Sequence, residues 1–353
     1  MGEKMGGTNQ YCYWVLWGLT VWMQGVSCAG ERGVPRLTQP LTYNLKSLPF
    51  EEAYMPLFGD TNVQVSRDGN SVKLVLDRRS GSGLMSHDLY YYGFFSASIK
   101  LPEDYTAGIV TAFYTSNGDI FEHNHDELDF EFLGNIRGKE WRVQTNVYGN
   151  GSTDFGREER YKLWFDPTED FHQYSILWTD RRIVFFIDDI PIREVKRSEA
   201  MGGQYPVKPM SVYTTIWDGS EWATAGGRYK VNYKYAPFTM ELSNLILEGC
   251  AVDPIEQEQE KEKKIQCVEE RKSQTLVLSE LSEEQRKAME WFRGQYIYYS
   301  YCDDTARYPS QLAECPIRDP KKPIATATLK FGRHHRHHRK RSTKSRSSTH
   351  GSV

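Results

Sequence analysis

The sequence predicts an all-β chain, folded as an antiparallel sandwich or barrel, on three observations. Between Leu41 and Leu247 short runs of alternating apolar and polar residues recur, which is the two-residue period of a strand. Gly, Asp, Asn and Pro punctuate these runs, and no helical pattern of useful length intervenes. The 353 residues are 39% hydrophobic and 13% aromatic, enough for one large domain with an appendage, and the chain as a whole is neither disordered nor membrane-spanning.

Tyr11 to Met23 is an apolar run of 13 residues, too short to cross a bilayer, and small residues follow at Val26 to Gly30. This reads as a signal peptide over residues 1–29, cut near Cys28 to Gly30. Gly6 stands where a myristoylation signal expects Ser or Thr. Strands are expected at Val72–Leu76, Tyr92–Leu101, Ile109–Thr115, Trp141–Tyr148, Tyr174–Thr179, Ile183–Ile187, Ile190–Val195, Met210–Ile216 and Lys230–Tyr235.

The run His125-Asp-Glu-Leu-Asp-Phe-Glu-Phe-Leu-Gly-Asn135 carries the most chemical information. Its period of two sends Leu128, Phe130 and Phe132 to one face and Glu127, Asp129 and Glu131 to the other. Like charges on neighbouring positions resist ionisation, so one of the acids should keep its proton near neutral pH. A carboxylate beside a protonated carboxyl is the requirement of retaining glycoside hydrolysis. Glu127 and Glu131 would be the working pair, with Asp129 between them tuning both. A solvated acidic strand face or a Ca²⁺ site would use the same residue types. The nearby His123 and His125 have no third ligand at a metal-binding spacing, and no Gly-x-Ser-x-Gly elbow is present, so neither a metal centre nor a serine hydrolase is indicated.

Gln144 and Asn146 share one strand face, and their amides suit sugar hydroxyls because they donate and accept together. As a bare pattern this is also an ordinary half-exposed strand. After Cys250 the composition shifts: Glu256–Lys264 is a charged run suited to a solvated loop or helix. Ser282-Glu-Glu-Gln285 is a capping box opening a helix, and Tyr296–Tyr301 reads as a strand. With Cys12 and Cys28 assigned to the signal segment, Cys250, Cys267, Cys302 and Cys315 remain, which an exported chain would join as two disulfides in one of three pairings. Asn150-Gly-Ser152 is a glycosylation sequon. From Lys321 onward there are ten Lys and Arg and no acid, so the net charge of −3 divides into +10 on this tail and −13 on the remainder. Such a tail is expected to be disordered and drawn to polyanions.

The motif at His125–Asn135 resembles, almost letter for letter, the active-site strand of the plant xyloglucan endotransglucosylase/hydrolases of glycoside hydrolase family 16. Leu128 replaces a more usual Ile without changing the apolar face. The resemblance covers roughly Tyr43 to Pro316. It implies a concanavalin-like β-jelly-roll sandwich over residues 30–248 with a cleft across its concave sheet, a disulfide-tied extension over 249–318, and a separate tail over 319–353. It implies Glu127 as nucleophile, Glu131 as acid and base, and Asp129 between them. It also implies glucan contacts from Glu131, Gln144, Thr145, Asn146, Gly156, Arg157, Glu158, Glu221, Trp222, Gly226 and Arg307. The sequential disulfides Cys250–Cys267 and Cys302–Cys315 follow from it, and no cofactor does. The late position of the sequon at Asn150 and the basic tail resemble the divergent third group of the family. The function implied is cleavage and rejoining of xyloglucan chains in the cell wall by a secreted enzyme, the partners being donor and acceptor xyloglucan and, through the tail, acidic wall polysaccharide. Nucleic acid is not an expected partner. A hydrolase using the same residues and a non-catalytic, lectin-like glucan binder are the competing readings.

Overall fold

The computed structural model describes residues 34–35, 40–121, 123–151, 156–252, 266–267 and 280–316. The expected signal segment, the charged run at Glu256–Lys264, Ser152 of the sequon and the basic tail lie outside the described residues.

Two antiparallel sheets face each other. The eight-stranded sheet runs β1 (Tyr54–Phe58), β4 (Ser82–Ser86), β13 (Ser211–Asp218), β6 (Ile109–Ser116), β7 (Glu127–Leu133), β8 (Arg142–Tyr148), β9 (Glu159–Tyr161) and β15 (Ile297–Ser300). The seven-stranded sheet runs β12 (Ile190–Lys196), β11 (Arg182–Ile187), β10 (His172–Trp178), β5 (Leu89–Lys100), β14 (Phe238–Val252), β3 (Ser71–Leu76) and β2 (Val63–Val65). Apolar residues on alternate positions of both sheets meet between them. Leu128, Phe130 and Phe132 are fully buried there. Phe130 meets Phe185 edge-on at 5.2 Å, and Phe132 meets Tyr174 edge-on at 4.7 Å. Burial of each ring contributes roughly 2–3 kcal/mol, and the edge-to-face contact adds about 1 kcal/mol. The carboxylate strand is thereby clamped from behind.

Most expected strands form, with ends shifted by a few residues. Lys230–Tyr235 is a correction: it is a turn. Asn232 Oδ1 accepts from the Lys234 amide at 3.2 Å, and the Val231 amide is spent on Ser220 Oγ at 2.9 Å. An Asx turn overrides the alternation there. Conversely β14, in the interior of its sheet, is unmarked by a simple period of two. Its register shifts between Ser243 and Ile246 and again between Gly249 and Cys250, and each bulge changes the phase of the alternation.

A helix, α1 (Phe50–Ala53), precedes β1, and a second, α2 (Glu283–Tyr296), opens on the expected capping box. Ser282 Oγ accepts from the Gln285 amide at 3.1 Å, while Gln285 Oε1 accepts from the Ser282 amide at 2.9 Å. The extension is more than an appendage. Phe292 and Ala288 of α2 are buried in the main core, β15 pairs with β9, and β14 runs through the 248/249 boundary. Both sequential disulfides, Cys250–Cys267 and Cys302–Cys315, are formed.

Candidate active site

The register of the eight-stranded sheet aligns side chains into rows that cross the strands. One row reads Phe58, Gly83, Thr215, Ala112, Glu131, Gln144, Arg160 and Tyr299. The next passes through Tyr213, Tyr114, Asp129 and Asn146, and a third through Ser211, Ser116, Glu127 and Tyr148. Small residues at Thr215 and Ala112 leave a trough beside β7. Its volume is about 490 Å³, and Phe58, Tyr114, Trp217 and all three carboxylates line it.

Burial sets the protonation of the three acids, and their neighbours then separate them. Asp129, only 6% exposed, is pushed well above the ordinary carboxylate range by burial and by the charges of Glu127 and Glu131 on either side. It shares a hydrogen bond with Glu127, which adds to the rise at Asp129 and opposes it at Glu127. Burial raises Glu127 too, but hydrogen bonding from Ser116, the nearby His125 and the bond to Asp129 all favour its charged form. His125 Nε2 lies 4.0 Å from Glu127 Oε2. Glu131 is pushed up to about 7 by burial; Gln144 opposes the rise, while Glu158 and Glu127 add to it. Gln144 Nε2 donates to Glu131 Oε2 at 2.5 Å. The row therefore surrounds Glu127 with groups that oppose the rise its burial causes, and holds a transferable proton at Glu131.

Several expected contact residues gather around Glu131. Gln144 is its cross-strand partner, and the buried Gln144 Oε1 has no protein partner among the described residues. Asn146 faces Asp129 across the strands and donates to the Tyr148 hydroxyl at 2.6 Å. Glu158 pairs with Arg160 and, at 3.5 Å, with Arg307. Gly156 lies directly under Arg307 and Tyr148, where an added Cβ would come within 3.1 Å of both, and its carbonyl accepts from the Tyr308 hydroxyl at 2.7 Å. On the far side, Trp222 is 39% exposed and tilts against Trp217 with ring centroids 6.1 Å apart. Gly226, at φ +67°, takes the left-handed turn of that loop. Glu221 points into solvent and pairs with Lys230 at 2.8 Å.

Two expected contacts are corrected. Thr145 alternates with Gln144 and Asn146, so its side chain faces the core, where Arg193 Nη1 donates to its hydroxyl at 2.8 Å. Arg157 is 3% exposed, and its guanidinium is consumed by Glu314 Oε1 and Gln204 Oε1, each at 2.8 Å. It braces the extension rather than lining the cleft. Asn150 is exposed, and its amide donates to Asp126 Oδ1 at 2.7 Å.

Other residues of the site escape sequence reasoning. Asp126 is fully buried and accepts from the amides of Asn150, Val207 and Lys208 and from Lys208 Nζ, so it fixes the loop that places His125. Phe58, Tyr114 and Arg160 enter the cleft through register, which requires knowing the partner strands. Among the described residues no group of three or more His, Cys, Asp or Glu is placed to hold a metal ion.

Residues 50–235 match the family described as Glycosyl hydrolases family 16, and residues 269–315 match Xyloglucan endo-transglycosylase (XET) C-terminus. The chain is 58% identical over 308 residues to probable xyloglucan endotransglucosylase/hydrolase protein 27 of Arabidopsis thaliana, covering 86% of this chain and 91% of that one. Protein 28 of the same plant is 56% identical over 310 residues, covering 85% and 92%. Among solved structures, a prokaryotic β-1,3-1,4-glucanase (lichenase) derived from a mouse hindgut metagenome is 24% identical, with a TM-score of 0.46 over 57% of this chain and 96% of that one. The chain belongs to glycosyl hydrolase family 16, among its xyloglucan endotransglucosylase/hydrolases.

Proposed function

We propose that this protein cleaves and rejoins xyloglucan backbones in the plant cell wall by retaining double displacement. One observation carries the reading: Glu127, Asp129 and Glu131 stand side by side on β7 in one trough, with His125 beside Glu127 and Gln144 donating to Glu131, while burial raises all three acids and holds Glu131 up to about 7. A Glu127 oxygen attacks the anomeric carbon as the glycosidic bond breaks, and Glu131 gives its proton to the departing oxygen. Glu131, now a carboxylate, takes the proton of an acceptor hydroxyl, whose oxygen displaces Glu127 and restores the linkage. Asp129 donates its hydrogen bond to Glu127 throughout. The unpartnered Gln144 carbonyl oxygen beside Glu131 supports sugar binding at the same place.

Export to the cell wall fits the apolar leader and the two disulfides. Glycosylation at Asn150 fits the exposure of that side chain, and attraction to acidic polysaccharide fits the basic tail. The test incubates purified protein with xyloglucan, with and without labelled xyloglucan oligosaccharides, and follows polymer size, label and new reducing ends. Label entering polymer with little gain of reducing ends is expected. Reducing ends growing at the rate of backbone cleavage would make the protein a hydrolase.

A further inference from the structure

We propose that Phe58, laid over Gly83 at the β1 edge of the cleft, is a stacking platform for a glucosyl unit of the bound chain remote from the cleaved bond. The proposal rests on the glucan-cleaving reading above but concerns a subsite that none of the expected contact residues supplies. β1 is an edge strand with several apolar side chains in solvent, so an exposed Phe there could be incidental. Two features set Phe58 apart. The ladder between β1 and β4 shifts after Pro56, so that Phe58 rather than Leu57 falls opposite Gly83. This irregularity re-aims one side chain, as bulges beside active sites do. Gly83 then makes room for it: an added Cβ would come within 2.5 Å of Phe58 Cε1 and 3.0 Å of Thr215 Cγ2. The ring occupies the space a side chain at position 83 would fill, and it lines the same trough as the three carboxylates while remaining 37% exposed.

The chemistry suits a sugar. A flat apolar ring matches the C–H face of a pyranose, whose hydroxyls point outward around the rim and stay hydrated. Phe58 and Glu131 lie in one cross-strand row, four strand steps apart. That is roughly 19 Å, the span of about three to four glucosyl units. Between them Thr215 and Ala112 keep the floor low enough for the chain to pass. The ligand is thus a backbone unit of a long glucan, and a short donor ends before it reaches the ring.

The experiment compares wild type, F58A, F58W and G83V on two donors with the same short labelled acceptor. One donor is polymeric xyloglucan; the other is a xyloglucan-oligosaccharyl fluoride with a backbone of two glucosyl units. F58A should raise KM for the polymer about three- to tenfold with kcat little changed, which is the usual scale of one aromatic contact. It should leave the short donor unchanged, and F58W should restore the polymer KM. G83V, which displaces the ring, should reproduce F58A; if G83V does not fold, F58A alone decides. Equal effects on both donors, or none on either, would overturn the proposal. Binding of long and short xyloglucan fragments to E131Q and to E131Q/F58A, measured by calorimetry, separates the two ideas. A Phe58-dependent gain for long fragments supports the platform even if wild type proves inert, and its absence counts against the platform even if transfer is confirmed.

Discussion

Replacing Glu159 by Gln should cost the fold about 3 kcal/mol at pH 6, because this one carboxylate joins the extension to the sandwich. It is 5% exposed on β9, and Arg293 of α2 grips both its oxygens at 2.6 and 2.9 Å. Tyr161 donates to it at 2.6 Å and Ser300 of β15 at 3.1 Å, while Arg193 of β12 stands 3.6 Å away. These partners overcome burial and hold its carboxyl down to about 2, against the ordinary 4.5. A depression of that size corresponds to about 3 kcal/mol of differential stabilisation. Removing one member of a buried pair also leaves its partners uncompensated, a loss of roughly 3–5 kcal/mol. Since the folded value lies below the unfolded one, this contribution is complete above about pH 4.5 and fades as pH falls toward 2. Urea unfolding of wild type and E159Q at pH 6 should show midpoints about 1 M apart for an m value near 3 kcal/mol/M. The gap should narrow progressively on acidification, and adding R293M to E159Q should cost much less than R293M alone. Coincident midpoints at pH 6, or a gap unchanged below pH 3, would refute the reasoning.

E127Q and E131Q should each abolish cleavage and transfer while leaving circular dichroism unchanged, since an amide supplies neither the nucleophilic charge nor the proton; near-normal turnover in either contradicts the roles. The alkaline limb of kcat/KM should fall near pH 7, where Glu131 loses its proton. E158Q removes a neighbouring negative charge that raises Glu131, so the limb should move to lower pH; a limb that stays put places Glu158 outside the field of the acid. Peptide mapping without reduction should recover Cys250 with Cys267 and Cys302 with Cys315, and crossed pairs would contradict the fold of the extension. Truncation after Ala327 should leave activity on soluble xyloglucan unchanged but release the protein from isolated walls at lower salt; equal retention would remove the tail's proposed role.

The carboxylate strand was legible because its chemistry and its period of two occupy the same seven residues, Glu127–Leu133. The capping box at Ser282 was legible for the same local reason. What sequence could not reveal is pairing. Gln144 and Glu131 meet only because β8 lies antiparallel beside β7 in one register, and Phe58 reaches the trough only through an irregularity in β1. Alternation puts Thr145 on the face opposite Gln144 and Asn146, against the expectation from the family resemblance that it contacts glucan. Arg157 illustrates the opposite failure: its partners Gln204 and Glu314 lie 47 and 157 residues away, so nothing local foretells that the guanidinium is consumed. Two bulges hide the long strand β14 from any single period, and Lys230–Tyr235 carries an alternating pattern although it folds as an Asx turn.

The central claim is that Glu127 forms the glycosyl-enzyme and Glu131 works on either side of it. A xyloglucan-oligosaccharyl fluoride needs no acid to expel fluoride, so E131Q can be glycosylated but lacks the base that activates an acceptor. Intact mass and peptide mapping of E131Q after this treatment should find one oligosaccharide esterified to Glu127, accumulating in time. An adduct on Asp129 or elsewhere, or no adduct while fluoride is released with retained configuration, would contradict the account.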